Sequence, residues 1–369
     1  MQQYSIKYPR RVISRKVLLC AARVLLKLLT RMEIVGLENI PEKGPVILAG
    51  NHVAGLEAVL LAAFSTRLVE FLGTGDIPFD PAYAWIVKVY DLIPVNRGNL
   101  DREAVKKSLE VLDQGGALGI FPEGGIWDPS HMEAKLGVAL LSQRAQAPIV
   151  PIGFGGMQGA LEAAFKLKRP RLVMKIGKMI PAVKLDEKGE NPKVSLQKAA
   201  NQIMHQINAL IPEESKQQFH KVNQSFELEV IVMDDGKTVD LPGEIQVKHG
   251  SAYARLMNTP VLLDVLARNL KLPIQPLKDI EGRDELKPFL KALKSVLGYL
   301  ESNPGFFNYR FGMEKGLAVK KAFEELIQLA EWVQASCYLL SLVPVHQYTN
   351  SVSGSLVIEK GGVYPRSMQ

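Results

Sequence analysis

Cysteine is nearly absent from this 369-residue chain, which has only Cys20 and Cys337, far apart and each in an apolar run. Two such thiols cannot build a zinc cluster or a disulfide framework, and they read as satisfied thiols suited to a reducing compartment. No run of 18 uncharged apolar residues occurs, so a membrane-spanning helix is not expected. No basic, apolar and small-residue succession ends in a cleavage site, so no secretory signal is expected either. Also missing are a G-x-S-x-G elbow, an H-E-x-x-H pair and the glycine patterns of dinucleotide or phosphate loops. Asp235-Gly236-Lys237-Thr238 lacks the upstream glycine of a phosphate loop and reads as a hairpin turn between strands at 228–233 and 238–247. Neither a metal site nor an organic cofactor is expected.

Acid is missing from one place in particular. Residues 1–31 hold Lys7, Arg10, Arg11, Arg15, Lys16, Arg23, Lys27 and Arg31 and no acidic side chain, whereas the whole chain carries a net charge of +7. The basicity is therefore an N-terminal feature. On a 3.6-residue wheel, Ile13, Val17, Leu18, Val24, Leu25, Leu28 and Leu29 fall on one broad side and Lys16, Arg23, Lys27 and Arg31 on the other. Such a helix either lies in a membrane interface with its cations near anionic headgroups, or packs on the domain with a solvated face. The first reading makes an anionic membrane surface the expected partner. Nucleic acid is not expected, because no recognisable binding motif or distributed basic stripe accompanies the charge.

From Arg31 the pattern alternates. Short apolar runs at 31–37, 45–50, 68–72, 92–95, 117–121, 149–153 and 171–178 read as strands. Helical patterns at about 55–65, 80–89, 101–112, 133–144 and 193–210 lie between and after them. This predicts an α/β domain, with a mixed, largely parallel sheet and helices on both faces. The expected organisation is an amphipathic interfacial helix at 1–31, a main domain at 32–215, a smaller α+β accessory domain at 222–348 and a flexible Ser- and Gly-rich tail at 349–369. In the accessory part, helices are expected at about 259–270, 284–302 and 314–342. The apolar run Cys337-Tyr-Leu-Leu-Ser-Leu-Val would be core, membrane-facing or a protein-partner surface.

Several strands end on residues that carry chemistry. The run 44–50 ends at Asn51 and His52, with Glu57 five residues beyond His52; Leu92-Ile-Pro-Val-Asn leads to Arg97; 117–121 breaks into Pro122-Glu123-Gly124; and 148–154 breaks into glycines. An α/β fold binds ligands outside the carboxyl ends of its strands, so these ends are the candidate site. Asn51 is expected to cap the helix that follows. Gly73, Gly75, Pro78, Phe79, Pro81, Tyr83 and Trp85 mark either a loop over the core or the wall of an apolar slot.

Asn51-His52 with its carboxylate, Ile93-Pro94-Val95-Asn96-Arg97, Phe121-Pro122-Glu123-Gly124 and Val150-Pro151-Ile152 resemble, in order, four motifs of the glycerophospholipid acyltransferase family. That family includes bacterial lysophosphatidic acid acyltransferases, and the resemblance covers about residues 1–215. It implies a membrane-associated O-acyltransferase of lipid metabolism at the cytoplasmic face of the membrane, peripheral or monotopic. The acyl group would move from acyl-CoA or acyl carrier protein to a lipid hydroxyl such as that of 1-acylglycerol-3-phosphate. His52 would be the base and Glu57 its orienting acid. Arg97, Glu123 and Gly124 would form the acceptor and phosphate site, and Asn51 and Pro122 would be structural. Imidazole titrates near neutral pH, where general-base efficiency is best, which suits His52 independently of the resemblance. The family usually carries Asp where this chain has Glu57, and a hydroxyl residue and an arginine where this chain has Gly125, Ile126 and Trp127. The competing reading is a lipid-binding or scaffold protein that keeps the shell without turnover.

Overall fold

In the computed structural model, strand β2 (Val46–Gly50) is buried at every position, as a strand covered on both sides must be. The structure describes residues 4–74, 81–96, 101–124, 134–185, 191–216, 221–258, 260–272, 280–281, 283–303 and 313–361. The chain divides into two compact units, Met1–Gly75 with Trp85–Gln218, and Asp76–Ala84 with Phe219–Gln369.

In the first unit, seven strands form one sheet: β1 (Arg31–Val35), β2, β3 (Val69–Thr74), β4 (Ile93–Val95), β5 (Ala117–Ile120), β6 (Ile149–Gly155) and β7 (Arg171–Ile176). Their order is β1-β7-β6-β2-β5-β3-β4. The strands from β6 to β4 run parallel. Strand β7 is antiparallel to β6, and β1 pairs parallel with β7. The mixed, largely parallel sheet expected from the alternation is therefore present.

Alternation along β2 sorts the core into two layers. Val46 and Leu48 face one layer, with Leu60 and Leu61 of α2 (Leu56–Phe64) and Leu19 and Leu26 of α1 (Val12–Leu29). Ile47 and Ala49 face the other, with Val111 of α4 (Arg102–Asp113), Val138 of α5 (Gly137–Ala145) and Ile203 of α7 (Pro192–Leu210). Helices α3 (Ala84–Tyr90), from Trp85 on, and α6 (Ala160–Phe165) also belong to this unit. Helix α4 starts where Asp101 accepts from the N–H groups of Glu103 and Ala104, and α7 where Asn191 accepts from Lys193.

Of the helix expected at 1–31, α1 covers Val12–Leu29, and its wheel has three parts instead of two. Arg15, Leu19 and Leu26 are buried against the domain, whereas Ile13, Val17, Val24, Leu25 and Leu28 are exposed. Arg15, one of the N-terminal cations, thus never reaches a surface. Its guanidinium bonds Glu70 of β3 at 2.5 and 2.8 Å, donates to Tyr90 O at 2.8 Å and lies 4.5 Å over the Tyr90 ring. Arg10 completes the cluster, reaching Glu70 at 3.0 Å and Asp91 at 2.6 Å. One helix therefore packs on the domain and still leaves an apolar stripe outside. Among the described residues, no helix is long and apolar enough to cross a membrane.

The second unit is α+β. Strands β8 (Lys221–Asp234), β9 (Lys237–Thr238), β10 (Ile280–Glu281), β11 (Leu339–Asn350) and β12 (Leu356–Lys360) pair antiparallel. Helices α8 (Gly250–Met257), α9 (Pro260–Asn269), α10 (Arg283–Ser302) and α11 (Met313–Ala335) supply its core, with Tyr253, Phe289, Leu293, Phe323 and Leu326 buried against Leu340 and Leu342.

Three expectations fail here, the first being the strand expected at 238–247, which is reduced to β9 (Lys237–Thr238). The helix expected to run to 342 stops at Ala335, and the apolar run after Cys337 becomes strand β11, with Leu340 and Leu342 in the core. The left-handed backbone of Cys337 makes the break. The tail expected to be flexible from 349 instead turns on Asn350, whose side chain accepts from Val352 N–H, and returns as β12 paired along Val345–Thr349. The Ser- and Gly-rich run is a hairpin turn. Residues 362–369 lie outside the described residues.

Candidate active site

The carboxyl ends of β2, β5 and β6 lie side by side, and three of the predicted groups meet there. Asn51 comes first after β2. It is buried, and its amide bonds the backbone of Phe154 twice: Phe154 N–H donates to Oδ1 at 2.7 Å and Nδ2 donates to Phe154 O at 3.2 Å. This ties the end of β2 to β6. The expected helix cap is therefore corrected: α2 begins five residues later behind Gly55, with no side-chain cap. A cleft of about 180 Å³ beside Asn51 is lined by Val53, Gly156, Met157, Gln158 and Ser215.

His52 follows, with 16% of its side chain exposed. Its ring stacks on Phe121 at the end of β5, with centroids 4.2 Å apart and planes 15° from parallel. Phe71 of β3 stacks behind Phe121 at 6.3 Å. The imidazole thus has an apolar floor, and Phe121 is a site residue to which the sequence reading gave no role. Its signal was its place directly before Pro122-Glu123.

Glu57 sits in the first turn of α2 and is fully buried. Its Oε1 accepts from the N–H groups of Val53 at 3.0 Å and Ala54 at 2.8 Å. That fixes the loop after His52 and turns Oε2 toward His52 Nδ1, 3.4 Å away. The separation is longer than an ordinary hydrogen bond, and neither Nδ1 nor Oε2 has another hydrogen-bond partner. From the first turn of the helix, Glu57 thus holds the loop amides with one oxygen and turns the other toward the ring.

Pro122 is buried, and its carbonyl accepts from Lys135 N–H at 2.7 Å. Gly124 N–H closes the turn onto Phe121 O at 2.9 Å, with Gly124 at φ +77°, a conformation that favours glycine. Between them, buried Glu123 accepts the backbone N–H of His52 on Oε2 at 3.0 Å, while its Oε1 has no partner. Burial pushes the Glu123 carboxyl up to about 8; the His52 N–H opposes this and the charge of Glu57 adds to it. The raised value favours a protonated Glu123 carboxyl at neutral pH, held on the backbone of His52, whose ring faces Glu57.

Arg97 lies outside the described residues, as do Gly125, Ile126 and Trp127, and Gly75, Pro78 and Phe79 of the Gly-, Pro- and aromatic-rich stretch, whose Tyr83 and Trp85 are exposed. Strand β4, which leads to Arg97, is the edge strand next to β3. The structure brings His52, Glu57, Glu123, Asn51, Pro122 and Gly124 together.

The acyltransferase family model matches residues 31–155, the segment that supplies every one of these groups. Residues 31–155 match the acyltransferase family. A probable 1-acyl-sn-glycerol-3-phosphate acyltransferase of Mycoplasma pneumoniae is 27% identical over 173 residues, which cover 45% of this chain and 64% of that protein. The 1-acyl-sn-glycerol-3-phosphate acyltransferase of Bacillus subtilis is 25% identical over 166 residues, or 42% of this chain and 77% of that protein. The chain thus spans less than two thirds of the Mycoplasma protein's own length. A crystal structure of the 1-acyl-sn-glycerophosphate acyltransferase from Thermotoga maritima aligns with a TM-score of 0.38 and 18% identity, over 55% of this chain and 84% of that one.

Proposed function

We propose that the first unit is a lipid O-acyltransferase that moves a fatty acyl group from acyl-CoA or acyl carrier protein to a hydroxyl of a glycerophospholipid acceptor, 1-acylglycerol-3-phosphate being the acceptor named for its relatives. The observation that carries this reading is His52 held between Glu57 and Glu123 at the end of a central strand. Direct transfer needs a base for the acceptor hydroxyl, and His52 can take that proton on Nε2 while Nδ1–H faces Glu57. The alkoxide oxygen then bonds to the thioester carbonyl carbon, the C–S bond breaks, and the thiolate leaves with the proton returned by His52. No covalent enzyme intermediate is needed. The protonated Oε1 of Glu123 can donate to an acceptor oxygen, and Arg97, beyond β4, would serve an acceptor phosphate as a planar fork.

The same reading places the protein at a lipid surface, on the cytoplasmic face and peripheral. Ile13, Val17, Val24, Leu25 and Leu28 form an exposed apolar stripe on α1, with Lys16 and Lys27 beside it. Entry of such side chains into the acyl boundary contributes about 1.5 kcal/mol or more each. Arg23 is instead tied to the carbonyl of Ala63.

The test is incubation of purified protein with 1-acylglycerol-3-phosphate and a labelled acyl thioester, alongside His52→Ala and Arg97→Ala. Transfer lost with His52→Ala is the expected result. Transfer that survives this substitution would refute the assignment. Strong preference for the phosphomonoester over uncharged monoacyl lipids, lost with Arg97→Ala, would identify the acceptor class.

A further inference from the structure

Helix α6 ends in a way that neither folding stability nor solvation explains. Leu167 N–H donates to Ala164 O and Lys168 N–H to Ala163 O, both at 2.9 Å, the closure that places one residue in left-handed backbone. Glycine is usual at such a position because it has no Cβ to clash. Here the residue is Leu167, at φ +56°, and it is 73% exposed. Phe165, two residues earlier, is 67% exposed, and Leu161 is exposed as well. Exposed Lys166, Lys168 and Arg169 alternate with and follow these apolar residues in the chain, and no acidic residue occurs between Glu162 and Asp186. Glu162 itself pairs with Lys166 at 2.5 Å.

The position of this segment gives the pattern a use. Helix α6 follows the carboxyl end of β6, and β6 runs parallel to β2, so it lies at the same end of the sheet as His52. The chain after α6 is stitched to the end of α1: Arg31 donates from its backbone N–H to Pro170 O at 2.9 Å and from Nε to Arg169 O at 3.1 Å. Leu25 and Leu28, on the last turns of α1, are exposed.

We propose that Leu161 to Arg169 is a second membrane-contact element, with Phe165 and Leu167 entering the acyl boundary and Lys166, Lys168 and Arg169 meeting the phosphates of anionic lipids. This rests on the reading that the first unit works at a lipid surface. A bilayer is the occupant that matches exposed apolar side chains interleaved with exposed cations on one turn, since it offers an apolar interior beneath a negative surface. The second contact also does what α1 alone cannot. A single helix in the interface leaves the domain free to roll about the helix axis, whereas a second contact at the same sheet end holds the carboxyl ends of the strands against the lipid.

The test uses the full chain and vesicles of phosphatidylglycerol and phosphatidylcholine, with no donor or acceptor present, so that binding is read apart from acyl transfer. The variant Phe165→Ser/Leu167→Gly puts glycine where the backbone favours it, so its Tm should not fall through the Leu167 change. Its affinity for phosphatidylglycerol vesicles is expected to drop about tenfold or more. In the full-length chain, Phe165→Trp is expected to show blue-shifted emission when those vesicles are added. A second variant, Val17→Asp/Leu28→Asp on α1, separates the two ideas. If it loses vesicle binding while Phe165→Ser/Leu167→Gly binds as wild type and Phe165→Trp does not shift, the second contact is overturned and the α1 reading stands. If wild type self-associates through this patch, and the double variant abolishes that association without changing vesicle affinity, the occupant is a second copy of the chain and the proposal is again overturned.

Discussion

Glu70 on β3 and the Glu57–Glu123 pair around His52 are buried carboxylate sites in the same unit, and they are built in opposite ways. Glu70 is fully buried and receives two arginines, with both oxygens bonded. Around His52 the described residues supply no cation, and Glu57 Oε2, Glu123 Oε1 and His52 Nδ1 lack hydrogen-bond partners. A buried acid that is fully paired is a structural joint, here fixing α1 to the domain. Buried acids left partly unsatisfied cost stability and are retained where an incoming group completes them.

The comparison breaks most sharply on His52. Removing the base should lower transfer about 1,000-fold or more with little change in Tm, measured as single-turnover acyl transfer and thermal unfolding of His52→Ala. Arg15→Ala should behave in the opposite sense. It leaves Glu70 buried with only Arg10 opposite, and unfolding in urea should show a loss of about 3 kcal/mol. Transfer per folded molecule should persist. A stable Arg15→Ala protein would mean that the joint is not structural.

Glu57→Asp tests the reach of the longer acid. The shorter side chain cannot hold both loop amides and still face Nδ1, so kcat should fall about 10- to 100-fold, as expected for a displacement of about 1 Å. A rise in kcat would show instead that the 3.4 Å separation is a defect of this chain.

Glu123 gives the smallest effect and the clearest pH signature. Its carboxyl is held near 8 in the folded protein, above its ordinary range near 4.5, so the folded state binds the proton more tightly than the unfolded state. The stability this contributes is complete below about pH 4.5 and is lost as the pH rises to about 8. Wild type should therefore lose about 2 kcal/mol or more relative to Glu123→Gln between pH 5 and 9, read as the difference in Tm or urea midpoint. Parallel profiles for the two proteins would show that Glu123 is already ionised at neutral pH.

Much of the first unit was legible because its code is local. Buried parallel strands read as short apolar runs, helices read as 3.6-residue patterns, and glycines marked the strand ends. His52, Glu57 and Glu123 stood out because each follows such an end or opens the next helix. Other features could not be read from pattern. Asn51 looked like a helix cap because sequence cannot tell a side chain that bonds the following helix from one that reaches a neighbouring strand more than a hundred residues away. Arg15 looked like one surface cation among eight because its partner, Glu70, is distant in sequence, and only packing supplies the second half of a buried ion pair. The run after Cys337 satisfied both a helix and a buried strand, and long-range pairing with β8 decided between them. Sequence alone determined which residues are apolar, which can turn and which can carry a proton. Tertiary structure decided which polar groups find partners in the interior and which are left without one, because that depends on what the remote parts of the chain bring within about 3 Å.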